Sequence, residues 1–358
     1  MRISILLFFF VSWIQTINAQ TDSLDIKIGQ MIMVGMPGTT VNDSSSIIRN
    51  IREGKVGGVL LFEYNLKKVN TIQILKELTG SLQMAATIPL FISIDQEGGQ
   101  VNRLKEKYGF KPMPSAKNIG SMNDDMYTKE IANRVAVTLH ECGINLNYSP
   151  VLDIENILCP VLGKRQRCYS PNPDSITHIA TLIIEAHHEN HVKTVVKHFP
   201  GHGNSLSDSH LGMVDVTKTW REMELLPYKD LIGQEMVDAV MTAHIINRNL
   251  DSSGMPATLS KKIVTGILRE ELKFYGVVIS DDMQMHAISK FYGLEESIRL
   301  CVNAGVDILM FSNNIPNAPE YTPENVHAAI KRLVLSNAIS MDRINESYQR
   351  VLAMKQTM

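Results

Sequence analysis

The segment KHFPGHGNSLSDSH, at 197–210, concentrates side chains that can transfer a proton or bind a metal ion. A zinc site needs three or four ligands on a firm scaffold, and the spacing of His198, His202 and His210 matches no local zinc motif. Asp208 lies two residues before His210, so its carboxylate can hold one tautomer of the imidazole. The pattern therefore favours proton transfer, with a solvated surface loop as the alternative.

Carboxylates occur in two other segments that follow apolar runs. In IDQEGGQVNR (94–103), Asp95 and Glu97 precede a Gly-Gly turn and Arg103, a set that can hydrogen-bond to sugar hydroxyls. A structural ion pair is the alternative there. In VVISDDM (277–283), adjacent strand residues point to opposite sides, so we expect one carboxylate to face a site and the other a neighbouring loop. Helix capping by both carboxylates is the alternative.

Eight short apolar runs alternate with stretches that have helical apolar spacing, and these elements must position the polar residues. The runs are 28–36, 56–62, 89–95, 144–153, 192–199, 237–245, 275–283 and 306–312. Apolar strands that alternate with helices indicate a parallel sheet covered by helices. Eight strands predict an α/β fold of the (β/α)8 TIM-barrel type. An open doubly wound sheet is the alternative, but no G-x-G-x-x-G follows the first run.

Polar residues end four of these runs. They are Asp95, Lys197, His198, His244, Asp281 and Asp282. In a barrel the carboxyl ends of all strands open onto one face, where active sites lie. The sequence therefore predicts one active site assembled from distant segments of the chain.

The composition is that of a globular protein, with 44% hydrophobic and 20% charged residues among 358. A net charge of −2 provides no basic surface, so nucleic acid is not expected as a partner. We expect one barrel domain over residues 20–358 and no membrane span within it.

The first residues predict a secretory signal peptide, 1–19. Arg2 supplies positive charge, and the apolar run 5–14, of about ten residues, is too short to cross a bilayer comfortably. Ala19 is a small residue suited to the position before a cleavage site. We expect export, to a periplasm or to the outside; a retained N-terminal anchor is the alternative.

Export implies an oxidising compartment, in which Cys159 and Cys168 could form a disulfide because they flank one loop. Cys142 and Cys301 fall in helical patterns and are expected to be small buried residues. The spacing of the four cysteines does not match a zinc site.

Together these segments resemble glycoside hydrolase family 3, and within it the β-N-acetylhexosaminidase branch. The resemblance rests on KHFPGHG followed by DSH, with IDQEGGQVNR upstream and VVISDDM downstream. It extends to MTAH (241–244), PATLS (256–260) and NAGVDILM (303–310), in the family's order. The KHFPGHG…DSH motif marks the branch in which a histidine replaces a carboxylate as acid/base.

The resemblance implies roles for individual residues. Asp281 matches the nucleophile, His210 the acid/base, and Asp208 the group that orients His210. The residues implied to bind the sugar are Asp95, Arg103, Arg167, Lys197 and His198. Asp282 is implied to support its neighbour, and His202 to be structural in the motif loop, which is expected to be mobile and to close over the sugar.

One segment, PVLGKRQRCYSPNPD (160–174), departs from the family pattern, which has an arginine in a stretch like G-x-R-S-F before D-P. Arg167 fits this pattern if a short insertion is allowed. Arg165 is the alternative, because its spacing from Gly163 is that of the arginine in G-x-R. We expect Arg167 to face the sugar. The insertion affects the rim of the site and with it the preference for the aglycone.

The implied activity is the removal of terminal β-linked N-acetylglucosamine (GlcNAc) from cell-wall-derived or chitin-type oligosaccharides. The implied enzyme is exo-acting and retaining, and it needs no metal or organic cofactor. The alternatives are a β-glucosidase of the same family, a glycoside phosphorylase and a non-catalytic sugar-binding barrel. The β-glucosidases of the family commonly carry a second domain that provides a glutamate acid/base. A barrel that had lost its catalytic function and only binds sugar would be expected to lack Asp281 or His210, and both are present. The phosphorylase stays open, because a histidine repels phosphate less than a carboxylate does.

Overall fold

The computed structural model describes residues 23–358. The predicted signal peptide, 1–19, lies outside the described residues. Within residues 23–358, no helix combines the length and the apolar character that crossing a membrane requires.

Eight parallel strands form a barrel, which confirms the predicted fold class. They are β1 (Ile32–Gly35), β2 (Gly58–Leu61), β3 (Phe91–Ile94), β4 (Leu146–Asn147), β5 (Lys193–Phe199), β6 (Ala239–Thr242), β7 (Val277–Ser280) and β8 (Leu309–Phe311). Neighbours pair in the order β8-β1-β2-β3-β4-β5-β6-β7. A parallel bridge between Ile279 and Ile308 joins the two outer strands, so the sheet closes on itself. Each strand lies inside one of the eight predicted runs.

Helices follow the strands and cover the outside of the barrel. They are α1 (Leu24–Gln30), α2 (Ser46–Arg52), α3 (Thr71–Ala85), α4 (Ala116–Met122), α5 (Asp125–Glu141), α6 (Pro173–Glu189), α7 (Leu226–Gly233), α8 (His286–Ser289), α9 (Leu294–Ala304), α10 (Pro323–Leu335) and α11 (Met341–Lys355). A π-helical segment, Lys262–Glu271, follows β6. The start of α6 shows why helices begin where they do: Asn172 accepts from the N–H groups of Asp174 and Ser175, and Pro173 follows it.

The barrel interior is packed with side chains, because alternate strand residues point inward. Met33, Phe91 and Met310 are buried in this inner cluster, whereas the intervening strand residues pack against the helices. A filled interior leaves no channel through the barrel. A ligand can therefore bind only where loops rise above one of its ends.

Charged residues close the amino-terminal end of the barrel. The Lys355 ammonium donates to the carbonyl oxygen of Gly57 at 2.8 Å and lies 4.7 Å from the centre of the Phe91 ring. Asp307, ahead of β8, accepts a hydrogen bond from Arg269 at 2.6 Å. The polar groups of Lys355 and Asp307 thus have hydrogen-bond partners within the protein, so the opposite end of the barrel is the one available to a ligand.

The disulfide considered between Cys159 and Cys168 is not formed. Both are free, buried thiols, packed in one apolar cluster with Val151, Val161 and Leu162. This cluster supports the loop between β4 and α6, so the loop is held by packing of small apolar groups in place of a covalent bond.

Candidate active site

The site lies at the carboxyl end of the barrel, around a pocket of about 350 Å³. Its polar lining residues are Asp95, Gln100, Arg103, Arg165, Arg167, Lys197, His198, His210, Asp281, Asp282, Ser312 and Asn314. Seven of the eight residues named from sequence line the pocket, and the eighth, Asp208, hydrogen-bonds to His210. A larger pocket of about 570 Å³ lies between β1 and the start of α10, but no basic side chain among the described residues lines it.

Glu97 is the central carboxylate of the pocket wall, with 2% of its side chain exposed. Arg167 binds it with two parallel hydrogen bonds, Nε to Oε2 at 2.8 Å and Nη2 to Oε1 at 2.7 Å. The Lys197 ammonium reaches the same carboxylate at 2.5 Å. Burial alone would raise the pKa of Glu97, but the two cations hold it far below its usual range. Glu97 is therefore ionised at every pH at which the protein is expected to work.

The two cations keep some hydrogen-bonding capacity for a ligand. Arg167 also donates from Nη1 to the carbonyl oxygen of Val161 at 3.1 Å, and its Nη2 lies 3.3 Å from His198 Nε2. Of the five N–H groups of a guanidinium, one on Nη1 stays free in this arrangement. Lys197 donates to Asp95 at 2.5 Å as well as to Glu97, which leaves one N–H of its ammonium.

Asp95 and Arg103 form the more open part of the same wall. The Arg103 Nη2 lies 3.6 Å from Asp95 Oδ2, and the guanidinium lies 5.7 Å from the centre of the Phe62 ring. The buried Nε of Arg103 has no hydrogen-bond partner among the described residues. A carboxylate and a fork of N–H groups at this spacing can accept from and donate to adjacent hydroxyls of one sugar.

His198 is oriented by a buried aspartate at the end of the fourth apolar run. Asp153 Oδ2 lies 2.6 Å from His198 Nδ1 and also accepts from the backbone N–H of His198 at 3.2 Å. The carboxylate fixes a proton on Nδ1, so Nε2 carries a lone pair that accepts from Arg167. Burial would raise the pKa of Asp153, but the neighbouring histidine lowers it below its usual value.

The two aspartates after β7 both line the pocket, in contrast to the expectation that only one would, but their hydrogen-bond partners differ. The carboxylate of Asp282 accepts from the hydroxyl of Ser312 and, at 3.0 Å, from the backbone N–H of Gln284. Asp281 accepts from the backbone N–H of Asp282 at 2.8 Å. Burial raises the pKa of Asp282 to about 6. Burial would also raise the pKa of Asp281, but nearby imidazoles, that of His244 above all, lower it below its usual value.

His244, at the end of the sixth apolar run, links the end of β6 by hydrogen bonds to the segment after β7 and to Thr258. Its Nε2 donates to the carbonyl oxygen of Asp282 at 2.9 Å, and its Nδ1 lies 2.9 Å from the hydroxyl of Thr258. Burial lowers the pKa of this histidine. With both ring nitrogens engaged in hydrogen bonds, this imidazole positions the backbone beside Asp281 and does not offer a proton to a ligand.

The loop that follows β5 carries Asp208 and His210, which form a hydrogen-bonded pair. His210 Nδ1 lies 2.8 Å from Asp208 Oδ1, and the backbone N–H of His210 donates to the same oxygen at 2.8 Å. The carboxylate fixes a proton on Nδ1 and leaves Nε2 available at the mouth of the pocket. His210 is 51% exposed, whereas Asp208 is 18% exposed. This imidazole is thus the accessible one, unlike those of His198 and His244.

The structure separates the two candidate arginines of the insertion. Arg167 lies in the pocket wall and binds Glu97, whereas Arg165 is exposed at the rim of the same pocket. A contact between Arg167 and the sugar stays a prediction.

From sequence, Glu97 was grouped with Asp95 as a possible sugar-binding carboxylate, with a structural ion pair as the alternative, and the structure shows the ion pair. Sequence reasoning did not identify Arg167 as its partner and assigned no role to Asp153. A signal was present for both carboxylates, because Glu97 lies two residues beyond Asp95 and Asp153 ends an apolar run as Asp95 does.

Metal ligation was also considered for the histidine-rich segment. Within residues 23–358, no three His, Cys, Asp or Glu side chains are arranged to hold a metal ion. Nδ1 of His198 and Nδ1 of His210 each form a hydrogen bond with an aspartate.

Comparison with known proteins places this site in a family. Residues 23–354 match the model of the glycosyl hydrolase family 3 N-terminal domain. The chain is 34% identical over 268 residues to a beta-hexosaminidase of Neisseria meningitidis, covering 72% of each chain. It is 32% identical over 323 residues to beta-hexosaminidase A of Pseudoalteromonas piscicida, covering 84% of this chain.

Solved structures show the same architecture. A family 3 beta-N-acetylglucosaminidase from Paenibacillus superposes with a TM-score of 0.84 at 35% identity, over 94% of this chain. A beta-N-acetylhexosaminidase from Beutenbergia cavernae superposes with a TM-score of 0.82 at 26% identity, over 93% of this chain and 98% of that one. The chain spans about half (53%) of the Pseudoalteromonas protein and 62% of the Paenibacillus protein.

Substituting Glu97→Gln should lower the free energy of unfolding by about 3 kcal/mol, because it leaves the buried Arg167 without a countercharge and Lys197 with Asp95 alone. Because the pKa of Glu97 is held low in the folded protein, its stabilisation is complete above the unfolded pKa of about 4.3 and is lost as pH falls below it. The difference between wild type and variant, measured by urea unfolding, should therefore be constant from pH 5 to 8 and shrink towards pH 3.

Glu155→Gln is the matched control, since Glu155 pairs with the more exposed Lys117 at 2.6 Å. It should cost less than about 1 kcal/mol. Equal losses for the two variants would show that Glu97 does not hold the cationic pair.

Proposed function

The chain belongs to glycosyl hydrolase family 3, and on that premise we propose that it is an exo-acting, retaining β-N-acetylglucosaminidase. The observation that carries the proposal is the exposed His210–Asp208 pair at the mouth of a pocket that also contains Asp281. The printed names of the relatives, beta-hexosaminidase and beta-N-acetylglucosaminidase, support a GlcNAc-containing substrate.

In the first step Asp281 is the nucleophile and His210 the general acid. The ionised carboxylate of Asp281 attacks the anomeric carbon of a terminal β-linked GlcNAc, and the bond to the aglycone oxygen breaks. His210, with Asp208 on Nδ1, gives its Nε2 proton to the departing oxygen. The lowered pKa of Asp281 supports this role, because an attacking carboxylate must be charged at neutral pH.

In the second step the same imidazole, now neutral, removes a proton from an incoming water molecule. The water oxygen attacks the anomeric carbon, the ester to Asp281 breaks, and the sugar leaves with its original anomeric configuration. An imidazole suits both roles, since it changes charge near neutral pH.

The pocket wall supplies the positioning that makes the attack effectively intramolecular. Asp95 accepts hydrogen bonds from sugar hydroxyls, while the exposed part of the Arg103 guanidinium and the Lys197 ammonium donate to sugar oxygens. Arg167 and His198 complete the wall as a pair held by Glu97 and Asp153. No step in this scheme needs a metal or an organic cofactor.

The substrate source and location follow from the predicted export of the chain. An exported enzyme of this kind meets cell-wall fragments or chitin oligosaccharides, in a periplasm or outside the cell. The positively charged and apolar first residues support export. Four buried thiols are shielded from an oxidising solvent, which is compatible with this location.

Hydrolysis of p-nitrophenyl N-acetyl-β-glucosaminide should exceed that of p-nitrophenyl β-glucoside by at least about tenfold, the effect of a site that recognises one substituent by hydrogen bonding. A chelator should leave the rate unchanged, and added phosphate should still give free GlcNAc as the product. Preference for the glucoside would overturn the substrate assignment, and a sugar phosphate would indicate a phosphorylase.

Asp281→Asn should retain less than about one per cent of wild-type activity, because a covalent nucleophile contributes more than that factor to the rate. Asp282→Asn is the control, since its carboxylate is bound by Ser312 and by the backbone of Gln284. It should retain more activity than Asp281→Asn and unfold at a lower temperature. An equally severe loss of activity from a folded Asp282→Asn variant would move the nucleophile to the neighbour.

His210→Ala should affect substrates according to the leaving group. A poor leaving group, such as a second sugar, needs the proton from His210 and should react at least about a hundredfold more slowly. An activated 2,4-dinitrophenyl leaving group departs without a proton, so its release in the first turnover should change little. Equal losses on both substrates would exclude His210 as the general acid.

A further inference from the structure

The segment that carries Asp208 and His210 has few attachments to the rest of the protein. Within the described segment 206–213, Ser209 is the one buried residue. Its hydroxyl lies 3.2 Å from His202 Nε2, and its carbonyl oxygen accepts from the backbone N–H of Ala287 at 3.3 Å. Leu211, two residues further on, is exposed and contacts Lys290 through its carbonyl oxygen at 3.3 Å.

His202 is a firm anchor for this contact. It is buried, its Nδ1 lies 2.7 Å from the hydroxyl of Ser205, and its backbone N–H donates to Asp153 Oδ1 at 2.6 Å. The other oxygen of Asp153 binds His198. One carboxylate therefore fixes both the histidine in the pocket wall and the base of the loop.

The protonation of His202 also suits an anchor. Burial lowers the pKa of His202 to about 4, so the imidazole is neutral at neutral pH. One of its nitrogens then donates and the other accepts, and each serine hydroxyl can take the complementary role. The contact to Ser209 thus stays intact at neutral pH.

From this arrangement we propose that the hydrogen bond between Ser209 and His202 holds the loop in the position in which His210 lies over the pocket. Ser209 is then a positioning residue for proton transfer and does not contact the substrate. The inference rests on the proposed role of His210. Because Asp208 and His210 flank Ser209 directly, any shift of Ser209 moves both members of the pair, and proton transfer depends steeply on their distance to the reacting oxygen.

The test compares Ser209→Ala with Ser207→Ala, the same substitution two residues earlier in the same loop. Ser207 is exposed and makes no side-chain hydrogen bond among the described residues. On a substrate with a poor leaving group, Ser209→Ala should lower kcat/KM about tenfold, the effect of losing one hydrogen bond. On the 2,4-dinitrophenyl substrate the first-turnover release should stay within about twofold of wild type, and Ser207→Ala should match wild type on both substrates.

Sodium azide supplies a second readout that a purely structural defect would not change. Azide needs no general base, so it attacks the anomeric carbon of the glycosyl-enzyme, breaks the ester to Asp281 and leaves as the glycosyl azide. Azide should raise the steady-state rate of Ser209→Ala on the 2,4-dinitrophenyl substrate and should do little to Ser207→Ala. Backbone hydrogen exchange in residues 204–212 should also be faster in Ser209→Ala.

The outcomes separate the two proposals. If His210→Ala shows leaving-group dependence and azide rescue but a folded Ser209→Ala shows neither, the positioning role of Ser209 is wrong and the acid/base assignment of His210 holds. If His210→Ala itself shows no such dependence, the proposed function fails and the inference with it. If Ser209→Ala does not fold, Ser209→Cys keeps the size with a weaker hydrogen bond, and its rates should fall between those of wild type and His210→Ala.

Discussion

The buried ion pair between Glu97 and Arg167 is the interaction on which the rest of the site depends. A guanidinium and an ammonium placed in a barrel mouth would each carry a large desolvation cost, and one carboxylate with two well-oriented oxygens offsets both. Once Arg167 is fixed, its Nη2 contacts His198, which Asp153 orients, and Lys197 contacts Asp95. The positions of Arg167 and Lys197 therefore depend directly on the Glu97 carboxylate.

This pairing also sets the charge of the pocket. Four carboxylates, those of Asp95, Glu97, Asp281 and Asp282, lie near four cations, those of Arg103, Arg165, Arg167 and Lys197. Charges so nearly balanced suit an uncharged ligand that is recognised by directional hydrogen bonds. The pKa of Asp281 is held below its usual value by the imidazoles of His244, His198 and His210 and by the backbone N–H of Asp282, which oppose the effect of burial.

The fold and the strand-end residues were predictable from sequence because both follow from local patterns. Alternation of apolar runs and helices predicts the barrel, and the barrel brings Asp95, Lys197 and Asp281 to one face. The partner of Arg167 was not predictable, since Glu97 lies 70 residues away and only the folded chain brings them together. The fourth run, 144–153, illustrates a second limit. Only Leu146–Asn147 pairs as a regular strand, because Pro150 has no N–H to donate, and beyond it pairing with β5 resumes as a single bridge between Val151 and Lys197.

The same physical reasoning explains why a histidine on a loop suits the proposed acid/base role. A second carboxylate beside Asp281 would have to stay protonated next to a like charge, which demands strong burial to raise its pKa. A protonated imidazole instead attracts the charge of Asp281 and loses that attraction when it gives up its proton. Because this group needs no burial, it can lie on an exposed segment that opens to admit the sugar. An exposed loop can adopt many positions. The buried contact between Ser209 and His202 restricts the movement of this loop next to Asp208 and His210.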